Sequence, residues 1–152
     1  MKTYQTLQDL AACVGQEVAT TDWMTITQEQ VNQFAEATGD HQWIHVDVER
    51  AKTGPFGGPI AHGFLTLALI PKIFQQGVEV VESRMGVNYG LNRVRFMAPV
   101  PVGGRVRGRM KLISSEPIDD KGGVQMVWEI TIELEGASKP ACVAESVVRR
   151  FP

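Results

Sequence analysis

The chain has 152 residues, with 15 Lys and Arg against 17 Asp and Glu and a formal net charge of −2. It is long enough for one domain burying roughly 70% of its unfolded surface, and no charge excess points to nucleic acid or a membrane surface. Its two cysteines, Cys13 and Cys142, form neither a disulfide framework nor a metal-ligand spacing, and read as buried thiols in a reducing compartment.

In chain order, Thr6 to Val14 reads as a short helix, with Leu7, Leu10, Ala11 and Val14 on one face and Gly15 as its stop. The preceding Met1 to Leu10 stretch contains no continuous apolar segment, so the expectation is a cytoplasmic protein without a membrane span. Val18 to Thr25 reads as a weak strand. Thr27 and Gln30 have capping-box spacing ahead of Val31, Phe34 and Ala35, and Gly39 closes that helix. A turn of helix is expected at Val48 to Lys52. After the Gly/Pro-rich stretch from Gly54 to Pro59, an apolar helix is predicted from His62 to about Gln76, kinked at Pro71. Leu65, Leu67, Ala68, Leu69, Ile70, Ile73 and Phe74 cover nearly its whole circumference, which predicts burial. Its most apolar run, Phe64 to Ile70, is too short to cross a bilayer.

From Val78 the hydrophobic period becomes two. Val124, Met126, Trp128, Ile130, Ile132 and Leu134 alternate with mostly polar residues, the pattern of a strand with one wet face. Arg105 to Leu112 is its expected antiparallel partner, which sets Arg105, Arg107, Arg109 and Lys111 against Glu129, Glu133 and Glu135. Further strands are expected at Val81 to Val87, Leu91 to Phe96 and Ala141 to Arg150. Helices followed by a long meander give an α+β class: a hot-dog fold, with a long antiparallel β-sheet wrapped around a central apolar helix, as one domain over residues 1–152.

The residues suited to chemistry cluster between the second helix and the apolar one. Asp40 and His45 share one short loop after Gly39. An imidazole can take a proton from water, while a carboxyl group can orient that water, or donate a proton where a dry site raises its pKa. Gly63, at the start of the apolar helix, offers a backbone amide to an enolate oxygen. The bland alternative is that Asp40 and His45 cap and brace the loop. His62 reads first as a residue securing the loop by hydrogen bonds and second as a third catalytic group. A metal site from His41, His45, His62 and Asp47 is disfavoured, because the sequence does not place His41 and His45 on a helix, and no metal is expected. Trp43 and Phe56 read either as acyl-pocket lining or as packing. Gly57 and Gly58 are too short a run for a phosphate cradle. Arg93 and Arg95 suit phosphates at a cofactor entrance, with a solvated strand face as the default.

The run Ala37-Thr-Gly-Asp40-His-Gln-Trp-Ile-His45-Val-Asp47, followed by Gly57-Gly-Pro-Ile-Ala-His62-Gly63 and by Tyr89 to Gly103, resembles the MaoC-like dehydratases, the R-specific enoyl-CoA hydratases, and most closely their nodulation-protein-N-like branch. The resemblance implies a hot-dog homodimer that binds an acyl-CoA thioester in a tunnel near the subunit interface. Coenzyme A belongs to the substrate and no cofactor is added. It implies Asp40 and His45 as the catalytic pair and Gly63 as the oxyanion amide, adding water to a trans-2-enoyl thioester to give the R-3-hydroxyacyl product. The substrate-binding set expected from the whole reading is Trp43, Phe56, Gly58, His62, Asn88 and Arg93. Two departures stand out: the family's Asp-x-Asn-Pro-x-His carries Gln42 and Trp43 in place of Asn and Pro, and a serine found further along the helix in some members has no counterpart near Ala68 and Pro71. A hot-dog thioesterase, a non-catalytic acyl-CoA-binding protein and a purely structural dimer are the rival readings.

Overall fold

In a computed structural model that describes all 152 residues, Met1–Pro152, both capping sequences start helices where the spacing predicts. Thr6 caps α1 (Leu7–Ala11), exchanging hydrogen bonds with Asp9, and Thr27 caps α2 (Gln28–Thr38), exchanging them with Gln30. Gly39, at φ 81°, ends α2 in the left-handed region that favours glycine. Short of the expected Val14, α1 stops at Ala11, and the turn that follows leaves Val14 off the helical face and 44% exposed. The expected Val18 to Thr25 strand is two pieces, β2 (Glu17–Thr20) and β3 (Met24–Thr25). Two one-turn helices follow, α3 (Trp43–Val46) and α4 (Val48–Lys52).

The apolar helix divides into α5 (Gly63–Ala68) and α6 (Ile70–Gly77) around Leu69. Pro71 sits in the first turn of α6, where its missing N–H costs nothing, so it starts a second helix rather than kinking one. Burial is one-sided: Leu69, Ile70, Ile73 and Phe74 are buried, whereas Phe64 is 69% exposed and Ala68 is open to solvent. The sequence composition correctly marks the helix as apolar all round, but one stripe has no neighbour in the chain.

The short β4 (Val78–Val80) pairs in parallel with β1 (Lys2–Tyr4). The two strands expected across Val81 to Phe96 are one, β5 (Met85–Phe96), with register shifts between Asn88 and Gly90 and between Leu91 and Val94. Those bulges interrupt the period of two while the strand continues. β6 (Arg105–Pro117), β7 (Val124–Leu134) and β8 (Cys142–Phe151) complete an antiparallel sheet in the order β2-β6-β7-β8-β5, with β3 also pairing β6. The β6 and β7 register sets Arg107 against Glu133 and Lys111 against Glu129. Arg105 pairs with Glu135 through two hydrogen bonds, and Arg109 reaches both Glu17 and Glu133. The basic row is accounted for by this exposed ladder, whose solvent-screened pairs add little to stability.

On the other face the sheet curls around α6. Ile73 lies against Gly108, where a Cβ would overlap its side chain, so glycine is needed for the helix to approach β6. Phe74 meets Trp128 edge-on at 5.3 Å, and Met126, Trp128, Ile130 and Ile132 are fully buried. This is the hot-dog arrangement. No helix is long and apolar enough to cross a membrane.

Candidate active site

The left-handed turn at Gly39 sends Asp40 away from the axis of α2, and the Asp40 carboxylate then accepts a hydrogen bond from the Gln42 amide at 3.3 Å. One turn later α3 presents His45 inward. The His45 backbone is held by Gln28 of α2, whose side-chain amide donates to the His45 carbonyl at 2.9 Å. Its ring is fixed by Nδ1–H donation to the Ile60 carbonyl at 2.7 Å, which leaves Nε2 as the free, basic nitrogen. His62 stacks on that ring at 3.9 Å between centroids, with 26° between planes, and its Nε2–H donates to the Asp40 carbonyl at 3.0 Å. Phe34 packs on His62 at 4.8 Å. A carboxylate oxygen of Asp40 and ring nitrogens of His45 and His62 thereby lie within 4.8 Å of one another.

His45 lines a cavity of about 310 Å³ together with Phe56, Ile60, Gly63, Thr66 and Phe96. Gly63 opens α5 without a side-chain cap, and its amide has no partner in the chain. A Cβ on Gly63 would lie 3.3 Å from three carbons of the Phe96 ring, a tight contact. His45 is 6% exposed. Desolvation by that burial holds its pKa below the ordinary 6.5; the hydrogen bond to Ile60 and the Asp40 charge oppose the shift, while His62 adds to it. A neutral imidazole, a carboxylate and an unpaired amide around one apolar hollow suit proton transfer at a carbonyl compound.

The family model for the MaoC-like domain matches residues 9–132. This chain belongs to the MaoC-like dehydratase family. It is 57% identical over 149 residues to the 3-hydroxyacyl-thioester dehydratase Z of Mycobacterium tuberculosis, covering 98% of each chain. It is 46% identical over 140 residues to the nodulation protein N of Rhizobium meliloti, covering 91% of this chain and 86% of that one. Among solved structures it superposes on the R-hydratase PhaJ1 of Pseudomonas aeruginosa with a TM-score of 0.68 and 25% identity, over 89% of this chain and 79% of that one.

In this MaoC-like chain the positions expected from sequence fall into three places. Asp40, His45, His62, Gly63 and Phe56 surround the cavity or the histidine stack behind it. Trp43 lies outside the cavity lining, packed beside Gly54 and beneath the Arg50 guanidinium, whose carbon is 4.3 Å from the ring centre. There it shapes the loop, as does half-buried Gly58. Asn88 lines a second cavity of about 320 Å³ further along, with Leu67, Pro71, Leu91 and the buried Ser146. Arg93 and Arg95 border an outer hollow with Glu129 and Glu145. Met97 lines both this hollow and the first cavity.

The quartet considered for a metal is not assembled. His41 points to Glu36 at 3.7 Å, and Asp47 caps α4 through the Arg50 amide. Asp40, His45 and His62 do converge, but two of their four ring nitrogens are taken up by carbonyls. His45 Nε2 and His62 Nδ1 are the two ring nitrogens left without a carbonyl partner. The dry surroundings considered for Asp40 are absent in a single chain, where this residue is exposed, because the Gly39 turn directs the loop outward. Sequence reasoning missed Thr66 and Phe96. Thr66 is a buried hydroxyl one turn after His62, its Oγ1 donating to the His62 carbonyl at 3.4 Å. Phe96 reaches Gly63 only through the sheet. Cys142 is buried, which raises its thiol to about 11, and Cys13 lies in the turn after α1, so neither is placed to attack a thioester.

Proposed function

We propose that the protein hydrates trans-2-enoyl-CoA to (R)-3-hydroxyacyl-CoA and catalyses the reverse dehydration. The observation that carries this reading is that His45, whose Nε2 is free, lines the same cavity as Gly63, whose amide is unpaired, with an Asp40 carboxylate oxygen within 4.8 Å of an imidazole nitrogen. His45 takes a proton from water as its oxygen bonds to C3. The electron pair of the double bond moves toward the thioester oxygen, where the Gly63 N–H holds the enolate, and Asp40 and His45 return a proton to C2. Both groups address one water on one side of the double bond, which gives a single stereochemical outcome. The apolar lining from Phe56 and Phe96 suits the acyl chain, and Arg93 and Arg95, adjoining through Met97, suit the phosphates of coenzyme A. A hydrolase would release free thiol from the same substrate. Loss of enoyl-thioester absorbance without thiol, with the R product, is the expected result; thiol release would turn the assignment to thioesterase.

The pH profile follows from the His45 environment. Its neutral form is the active one and burial holds its pKa below 6.5, so the acid limb of kcat/KM is expected to have its midpoint below 6.5. Folding stability has the same sign. Above 6.5 the ring is neutral folded and unfolded; as pH falls, the unfolded chain binds the proton first, and stability declines until the folded ring titrates. An acid limb centred above 6.5 would contradict the role of His45.

The substrate tunnel is proposed to be completed by a second copy of the chain. β5 is a 12-residue edge strand with no buried residue, carrying exposed Met85, Val87, Tyr89, Leu91 and Phe96 beside the bare Phe64 of α5. An open apolar edge of that length invites pairing, and its end, Phe96, is also cavity wall. Sedimentation is expected to report a dimer for the native chain and a shift toward monomer for Leu91→Arg, with hydration falling in parallel. A fully active monomer would overturn this arrangement.

A further inference from the structure

His62 is 2% exposed, yet only one of its ring nitrogens is used: Nε2–H donates to the Asp40 carbonyl, while Nδ1 is buried without a partner. A phenylalanine would fill the slot between Phe34 and His45 without stranding a nitrogen. What the imidazole adds is one hydrogen bond, and it goes to the backbone of the catalytic carboxylate, 22 residues away in the chain. The opposite claim on the ring is its face, stacked on His45 at 3.9 Å. Through these two contacts His62 touches both members of the pair. Asp40 otherwise hangs from an exposed loop, held by contacts to Thr38 and Gln42 within two residues of itself. His45 is secured separately, through Ile60 and Gln28.

We propose that His62 is the positioning residue of this site: its Nε2–H anchors the Asp40 loop and its ring backs the His45 imidazole, so that the two catalytic groups keep one separation. The inference rests on the hydratase reading for its effect on rate, but not for the geometry it asserts. His62 lies behind His45 and is absent from the cavity lining, so it acts through the pair rather than on the substrate. The titratable groups facing His45 are Asp40 and His62 alone; His41 is turned toward Glu36.

The test compares His62→Phe, which keeps a flat ring and loses the hydrogen bond, with His62→Gln, which keeps a donor and loses the stacking face. In His62→Phe, kcat for a trans-2-enoyl-CoA is expected to fall by about tenfold to a hundredfold per folded molecule, with KM changed by less than about twofold. His62→Gln is expected to recover part of that loss. The titration midpoint of His45, followed by NMR on the labelled protein, is expected to move upward in both variants, because the neighbouring imidazole that disfavours its cation is gone. The Asp40 amide resonance is expected to shift most in His62→Phe. Unchanged His45 and Asp40 signals in the folded variants would overturn the inference, as would a rate loss fully explained by a smaller folded fraction. These NMR readouts need no turnover. A native chain that hydrates no enoyl-CoA would therefore sink the proposed reaction while leaving the positioning role to be decided on its own signals.

Discussion

Replacing His45 by glutamine is expected to lower kcat/KM for enoyl-CoA hydration by about a hundredfold to ten-thousandfold, with the far-UV spectrum and thermal transition close to native. Glutamine retains an N–H able to reach the Ile60 carbonyl, so the buried acceptor now served by His45 at 2.7 Å keeps a partner. What disappears is the lone pair on Nε2 of the one titratable side chain in the cavity lining. Asp40→Asn is the companion change. The asparagine oxygen still accepts from the Gln42 amide, so the loop keeps its turn, while the charge beside the imidazole is lost. A comparable fall in kcat, with KM little altered, is expected for Asp40→Asn, because the carboxylate is assigned to the proton steps rather than to binding. The two losses should not add in the double variant if, as proposed, both groups serve one water. Near-native rates in both single variants would remove them from the mechanism, whatever the fold.

The largest expected effect on stability comes from Trp128→Ala, which should cost about 3–5 kcal/mol in urea unfolding. Trp128 is fully buried in the middle of β7 and carries Phe74 of α6 against its ring. Its truncation leaves a void between the sheet and the helix it wraps, and neither the strand pairing nor α6 can close it. Trp128→Phe is expected to cost far less. The indole Nε1 is buried without a hydrogen-bond partner, so phenylalanine gives up some contact area but also removes an unsatisfied donor. Equal losses for the two variants would show that the indole N–H has a partner after all. Because Phe74 belongs to the helix that continues from α5, the alanine variant should also loosen the wall that holds Gly63. Activity is then expected to decline at temperatures below the global transition.

Some of this protein is decided by local chemistry and was therefore legible in its sequence. Thr27 with Gln30 and Gly39 with its positive φ start and stop α2 using only neighbouring backbone groups. The exit point of Asp40 is set by the same few residues. The alternation from Val124 to Leu134 selects one wet face, and the observed register of β6 and β7 sets Arg107 against Glu133 and Lys111 against Glu129, as the charge pattern predicts. The motif from Asp40 to Gly63 likewise gave the family, since spacing along a chain is what a sequence records.

Contacts between distant segments decided the rest. Whether β5 was one strand or two depended on bulges that absorb extra residues against β8, a property of the pairing rather than of the strand. Apolar character all round the α5 and α6 segment was visible, but which stripe it buries depended on where the sheet curls and where it ends. Trp43 read either as pocket lining or as packing, and the fold places it under Arg50 and beside Gly54, outside the cavity lining. His62 could be named as a loop-securing residue, yet its two partners, the Asp40 carbonyl and the His45 ring, meet it only when the Gly/Pro loop folds back. The sequence by itself determined which groups are present, and where the chain turns, because those depend on short-range sterics and hydrogen bonds. Only the tertiary structure decided that His45 loses its water and that Phe96 packs close to Gly63, because desolvation and close packing are set by what the rest of the chain brings alongside.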